Sequence, residues 1–282
     1  MSISTPATPD PADLFEFAWM PPSFDAKLEE LALKAQPERW DEPGYPGTLK
    51  FPVLGNYVKY TFRRIVEEDK VAFAADENDK QVAAFNTGLF TPHYEPIFAT
   101  FEANSNTAKQ PWVLKGWSTL ADYRMRPFSS VDVKPARYFS RPDDLIYDPD
   151  LELVPDLDHI LDENADRFPE SLQANPHLRR LSLDGAIREA GKRAQMNWKT
   201  AVPQYYFGRG EGFIQLLLPL CILRPDRADL ALVVDKVHGE KHYRAHTVLT
   251  LPMAYKNARL IARPYSDWLG SEPDALQIST EI

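Results

Sequence analysis

The stretch "LDHILDENADRF" places Asp158 four residues before Asp162 and His159 four before Glu163. On a helix, i and i+4 share a face. Each pair can therefore grip one divalent cation, and hard oxygen ligands favour magnesium or manganese. Asp158 and Asp162 are the expected metal ligands, and Asp158 with His159 the expected catalytic pair, binding metal or activating water. The competing readings are a solvated acidic helix face and a histidine ring bonded to backbone.

Cations that can neutralise phosphate come in two groups. Arg188, Lys192 and Lys199 form a stripe beside the apolar positions Leu183, Ile187, Ala190, Ala194 and Trp198 of a helix expected from about Leu178 to Trp198. Lys256, Arg259 and Arg263 stand at i, i+3 and i+7 in "AYKNARLIARP", with Tyr255 and Asn257 nearby, as an anion clamp with an aromatic platform. Surface charge is the plain alternative for both. Between them "KTAVPQYY" brings a cation, an amide and two aromatics together, so Tyr205, Tyr206 or Tyr255 would stack a base. Asn86, Thr87 and Gln204 would read polar edges, and Lys115 of "PWVLKGWS" joins the substrate-binding set. Asn86 and Thr87 before Gly88 equally suit an ordinary Asx or type II turn.

Gly208, Gly210 and Gly212 lack both the dinucleotide spacing and the Lys-Ser/Thr of a P-loop, and a strand, not a helix, follows them. They are expected to turn a β-hairpin. In "HGEKHYRAH", His242 and His246 would share a strand face, too few ligands for a zinc site. No nucleophile elbow, HExxH or CxxC pair occurs.

The elements that must position these residues follow from periodicity. Phe24 to Lys34 reads as a short helix. "PVLGNYVKYTFRRIVEEDK" reads as another, burying Leu54, Val58, Thr61, Phe62 and Ile65. Short apolar strands around polar turns follow between Val71 and Ser118 as an antiparallel meander. After the acidic segment and the long helix, "FIQLLLPLCI", "ADLALVVDKV" and "YRAHTVLTL" read as strands and "PMAYKNARLIA" as a helix opened by Pro252. Clustered strands separated by helices indicate an α+β fold, mainly antiparallel sheet flanked by helices.

Composition bounds the rest. With 44% hydrophobic residues a core of ordinary size is available, and the single Cys221 rules out an intramolecular disulfide and suits a reducing cytoplasm. Residues 1–13 are expected to be a disordered leader and residues 271–282 a short acidic tail. No stretch is long and apolar enough for a membrane span. The net charge of −9 is concentrated between Asp143 and Asp166, which holds no Lys or Arg. The near-neutral remainder leaves nucleotides or RNA open as partners.

"NYVKYTFRRI", "FNTGLFTPHYEPIFATFE", "LIYDPDLELVPDLDHILDENADRFP", "KTAVPQYY" and "TVLTLPMAYKNARLIARPYSDWL" together resemble the bacterial domain of unknown function family 3825, from about Phe15 to Leu269. The resemblance implies one domain over residues 14–270. Some members of that family are joined to cold-shock or other RNA-binding modules, which implies a role around RNA or nucleotides and transfers no catalytic residue. The expectation is a nucleotide- or RNA-end-binding hydrolase of a phosphoanhydride or phosphoester bond using magnesium or manganese. The alternatives are a noncatalytic single-stranded RNA-binding module and a protein-binding scaffold.

Overall fold

The computed structural model describes residues 13–42, 45–106, 110–208, 212–236, 241–264 and 268–269. The chain divides into two compact units, Met1–Arg137 and Tyr138–Ile282. Each is built on its own five-stranded, mainly antiparallel sheet, so the α+β expectation holds for both.

The first unit opens with α1 (Leu14–Phe17), the two-residue strand β1 (Ala18–Trp19), α2 (Phe24–Lys34) and α3 (Pro52–Glu67). Ser23 caps α2 by accepting the Ala26 N–H at 3.1 Å, and Pro52 starts α3 where a missing N–H costs nothing. The five positions expected to line α3 are all buried. The sheet adds β2 (Ala72–Ala75), β3 (Gln81–Phe90), β4 (Pro96–Ala103) and β5 (Trp112–Ser118), in the order β1-β5-β4-β3-β2 with only β1 parallel to its neighbour. Its core is aromatic: the Phe17 ring lies 4.9 Å from Phe62 and 5.2 Å from Phe101, and Phe62 lies 5.3 Å from Phe85.

The second unit begins with the short edge strand β6 (Glu152–Pro155), α4 (Leu157–Glu163), α5 (Glu170–Gln173) and the long α6 (Pro176–Met196). Then come β7 (Val202–Tyr206), β8 (Phe213–Leu220), β9 (Leu230–Lys236), β10 (His242–Thr250) and α7 (Leu251–Ala258). The strand order is β6-β10-β9-β8-β7, antiparallel except that β6 runs parallel to β10. Its two faces are both covered. Leu183, Ile187, Ala190 and Ala194 of α6 share a core with Leu216, Leu218, Leu232 and Val234, while α7 contributes Ala254 and Ala258 to a core with Val202, Leu217, Val233 and Leu249 on the other face. Runs apolar on both sides, such as "LALVV", follow from that double cover.

β7 and β8 pair from Val202 opposite Leu217 to Tyr206 opposite Phe213, so the glycine-rich segment joins two antiparallel neighbours as a hairpin connection. Its residues 209–211, Gly210 among them, lie outside the described residues, as do residues 1–12 of the expected leader, all of the expected tail 271–282 and His238. The strands β1 and β6 have no counterpart in the sequence reading, because two and four residues are too short for a period to register.

Candidate functional site

The α7-facing side of the second sheet is apolar at one end and polar at the other. Strand alternation puts Gln204 on the face of Val202, Gln215 on that of Leu217, and Asp235 on that of Val233. The register then lines them up: Gln204 stands opposite Gln215, and Asp235 opposite Arg244. Gln204 and Gln215 are each only 3% exposed, so their amides must be paired within the protein.

They are paired in one direction. Asn257 Nδ2, from α7, donates to Gln204 Oε1 at 3.1 Å, Gln204 Nε2 donates to Gln215 Oε1 at 2.9 Å, and Gln215 Nε2 donates to Asp235 Oδ1 at 2.8 Å. The other carboxylate oxygen, Oδ2, lies 3.6 Å from His246 Nδ1. That nitrogen is buried and has no hydrogen-bond partner. Burial pushes the Asp235 carboxyl above the usual carboxylate range, against the pull of His246, Gln215 and Arg244.

His246 sits at a β-bulge. Ala245 pairs with Val234 and Thr247 with Val233, which leaves His246 without an opposite residue. Bulges of this kind re-aim a side chain. Here the ring faces α4, whose backbone is tied to β10 by the Asp156 N–H donating to the Ala245 carbonyl at 2.7 Å. The His159 and His246 ring centroids are 6.4 Å apart at an interplanar angle of 44°. His159 Nδ1 is itself 3.1 Å from Glu163 Oε1. Each histidine thus turns Nδ1 toward a carboxylate, which leaves Nε2 as the nitrogen available to a ligand. Both rings are partly exposed, 39% for His159 and 32% for His246.

Arg244 also borders a groove of about 550 Å³ lined by residues 154–158 and by Arg180 of α6. Both arginines are exposed, and Arg244 stands opposite Asp235 and pulls on its carboxyl. Carboxylate-oriented histidines near exposed guanidinium groups can move protons at an anionic, phosphate-like centre.

The other sequence candidates fall elsewhere. Asn86 and Thr87 are buried in the first unit and committed to backbone. Asn86 Nδ2 donates to the Val133 carbonyl at 3.2 Å while its Oδ1 accepts from the Gly88 N–H at 2.9 Å, and Thr87 Oγ1 donates to the Ile97 carbonyl at 2.7 Å. Their short side chains brace a strand irregularity between Asn86 and Phe90. Lys115 pairs with Glu102 at 3.4 Å; burial pushes that carboxyl up, but Lys80 and Lys115 outweigh it and hold it below its ordinary value.

In the second unit Arg188 pairs with Asp184 at 2.7 Å and Lys192 is exposed. The helix ends at Met196, so Lys199 lies in a following 3-10 turn with its ammonium 5.8 Å from the Trp198 ring, and the expected stripe stops short of it. Trp198 is likewise 55% exposed and does not join the helix's buried face. Tyr205 is enclosed at 3% exposure, with Tyr138 and Phe207 against its ring at 5.1 and 4.8 Å, so it offers no open face to a base; Tyr206 is 48% exposed. α7 ends at Ala258, which leaves Arg259 as its C-cap, buried, and Arg263 beyond the helix; the i, i+3, i+7 stripe with Lys256 is not continuous. Tyr255 packs against the α7-side core. Asp158 and Asp162 are exposed on α4, and among the described residues no group of three His, Cys, Asp or Glu is arranged to hold a metal ion.

The structure thus joins Gln204, Asn257 and His159 of the sequence candidates to four others: Gln215, Asp235, Arg244 and His246. The signal for two of these was present as polar interruptions, Gln in "FIQLLLPL" and Asp in "LALVVDK".

The family model described as "Domain of unknown function (DUF3825)" matches residues 31–268, across both compact units, and the chain belongs to that family. No curated protein and no solved structure matches it. Among the described residues no helix is long and apolar enough to cross a membrane.

Proposed function

For this member of the DUF3825 family we propose cleavage of a phosphoester or phosphoanhydride bond in a nucleotide or an RNA end, at the His159 and His246 pair of the second unit. One observation carries the reading: two histidines face each other, each with Nδ1 toward a carboxylate, and one of those carboxylates is held by a buried amide chain from three further elements. A buried polar row in a sheet core costs stability unless every member is satisfied. Its direction, with each amide donating toward Asp235, gives it a use in orienting His246.

The two rings supply both proton transfers that phosphoester cleavage needs. One Nε2 takes the proton of the attacking oxygen and the other gives a proton to the leaving oxygen. Arg244 and Arg180 would neutralise the phosphate, whose charge grows toward the transition state. The Asp235 to His246 separation of 3.6 Å tightens to a hydrogen bond as His246 gains its proton.

The full chain is assayed against nucleoside mono-, di- and triphosphates, dinucleotides, and capped and uncapped RNA ends, in magnesium, in manganese and in EDTA. His159→Gln and His246→Gln run beside it. Each variant is expected to lower turnover roughly 100- to 10,000-fold. Inactivity of the parent across the whole panel would refute cleavage, and salt-sensitive RNA binding in its place would establish the noncatalytic alternative. Undiminished turnover in both variants would move the chemistry away from this pair.

A further inference from the structure

Given that reading, we infer that Asn164 is a positioning residue, which sets the separation and the mutual angle of the two histidines. It is 2% exposed and lies between the end of α4 and the 3-10 turn Ala165–Arg167. Its side chain bonds both histidine-bearing elements. Nδ2 donates to the His159 carbonyl at 3.5 Å, and Oδ1 accepts at 3.0 Å from the hydroxyl of Thr247, the residue after His246. Arg167 Nη1 donates to the same hydroxyl oxygen at 3.4 Å and to the Val248 carbonyl at 2.5 Å. A guanidinium only donates, so Thr247 Oγ1 receives from Arg167 and passes its own proton to Asn164. Every step then runs one way, from Arg167 through Thr247 and Asn164 to the His159 carbonyl. The reversed amide would set the Asn164 oxygen against that carbonyl, which fixes its orientation.

These ties bracket both rings. Ahead of His246 the Asp156 N–H donates to the Ala245 carbonyl at 2.7 Å, and after it Thr247 and Val248 are held by Asn164 and Arg167. On the helix side the same frame encloses His159, between Asp156, whose Oδ1 accepts the His159 N–H at 3.2 Å, and Asn164. His246 needs the frame because it is the unpaired residue of a bulge, so its direction follows from whatever holds its flanks. His159 needs it because α4, seven residues long, is too short to hold its orientation without tertiary ties. The 6.4 Å between the ring centroids therefore depends on both ends of the frame, and Asn164 joins the two elements at the end beyond the rings. Buried as it is, Asn164 acts through the histidines and not on the substrate. A misplacement of about 1 Å at reacting groups costs on the order of 100-fold in rate, so a tie of this kind has a kinetic consequence.

The experiment uses the full chain carrying Thr247→Val, which keeps the side-chain shape and removes the hydroxyl, Thr247→Ser, which keeps the hydroxyl, or Asn164→Leu. Steady-state turnover of the nucleotide or RNA that the parent cleaves is measured at a temperature where circular dichroism shows each variant folded. In Thr247→Val and Asn164→Leu, kcat should fall roughly 10- to 100-fold with KM within about 3-fold of the parent, and Thr247→Ser should recover most of the loss. A second readout needs no turnover: in histidine-labelled protein, NMR cross-relaxation between the His159 and His246 ring protons is expected in the parent, weakened in Thr247→Val and Asn164→Leu, and regained in Thr247→Ser. An unchanged kcat in Thr247→Val, or an unchanged ring-to-ring signal in it, would overturn the inference and leave the cleavage reading standing. So would a lower thermal midpoint with kcat of the folded protein intact, since that is the mark of a purely structural residue. If Asn164→Leu does not fold, Thr247→Val against Thr247→Ser decides. If the parent cleaves nothing, the cleavage reading fails and the ring-to-ring signal decides the inference by itself.

Discussion

Replacing Gln215 by leucine tests whether the buried amide row is held together as its geometry implies. The two side chains have similar volume, so the change removes polarity and leaves little cavity. It deletes a hydrogen bond to a carboxylate, worth about 1.5–3 kcal/mol, and a neutral one from Gln204, worth about 0.5–1.5 kcal/mol. The extra apolar burial of leucine returns about 1 kcal/mol. The Gln204 amide, 3% exposed, and Asp235 Oδ1 are left without their partner, which places the net loss in the upper part of that range. A destabilisation of about 2–3 kcal/mol is expected, or roughly a 5–10 °C fall in the thermal midpoint. Denaturant unfolding of parent and Q215L at pH 7 measures it. A loss under about 0.5 kcal/mol would show that the row makes no net contribution and that Asp235 is oriented by something else. Turnover by the surviving folded fraction should also drop, because Gln215 positions Asp235 without touching the substrate.

Asp235→Asn carries a signed pH dependence. Because burial raises the Asp235 carboxyl in the folded state, that state holds the proton more tightly than the unfolded chain does. The group's contribution is therefore greatest below the ordinary carboxylate range and is lost as pH rises through the raised folded value. The stability of the parent relative to D235N should fall as pH rises from the ordinary carboxylate value of about 4; an advantage that grows with pH would contradict the assignment, and D235N should be slow in cleavage at every pH. In the first unit, Gly88→Ala is expected to cost about 1–3 kcal/mol, since Gly88 has φ of 73° and an added Cβ would lie 2.8 Å from the Tyr57 hydroxyl, which donates to the Thr87 carbonyl. A thermal midpoint within 1 °C of the parent would mean that this strand irregularity relaxes freely.

Local order supplied part of this architecture. The helix from Phe24 to Lys34, the buried face of α3 and the hairpin around the glycines were all legible, because each depends on spacing within one turn or one strand pair. The site was legible only in fragments. Within α4, His159 and Glu163 are one helical turn apart, so their pairing is a property of the sequence alone. Gln204, Gln215, Asp235 and Arg244 are spread over four strands, and only the register of β7 to β10 sets them in a row. His246 reaches Asp235 and faces His159 from a one-residue bulge and a parallel edge strand too short to leave a period. Tyr205 and Tyr206 look alike as neighbours in a string, yet strand alternation encloses one and exposes the other. Residue type and spacing thus determined which side chains could move protons or hold phosphate; strand register and the placement of a helix end decided which of them meet, because such contacts depend on hydrogen-bonded pairing between segments far apart along the chain.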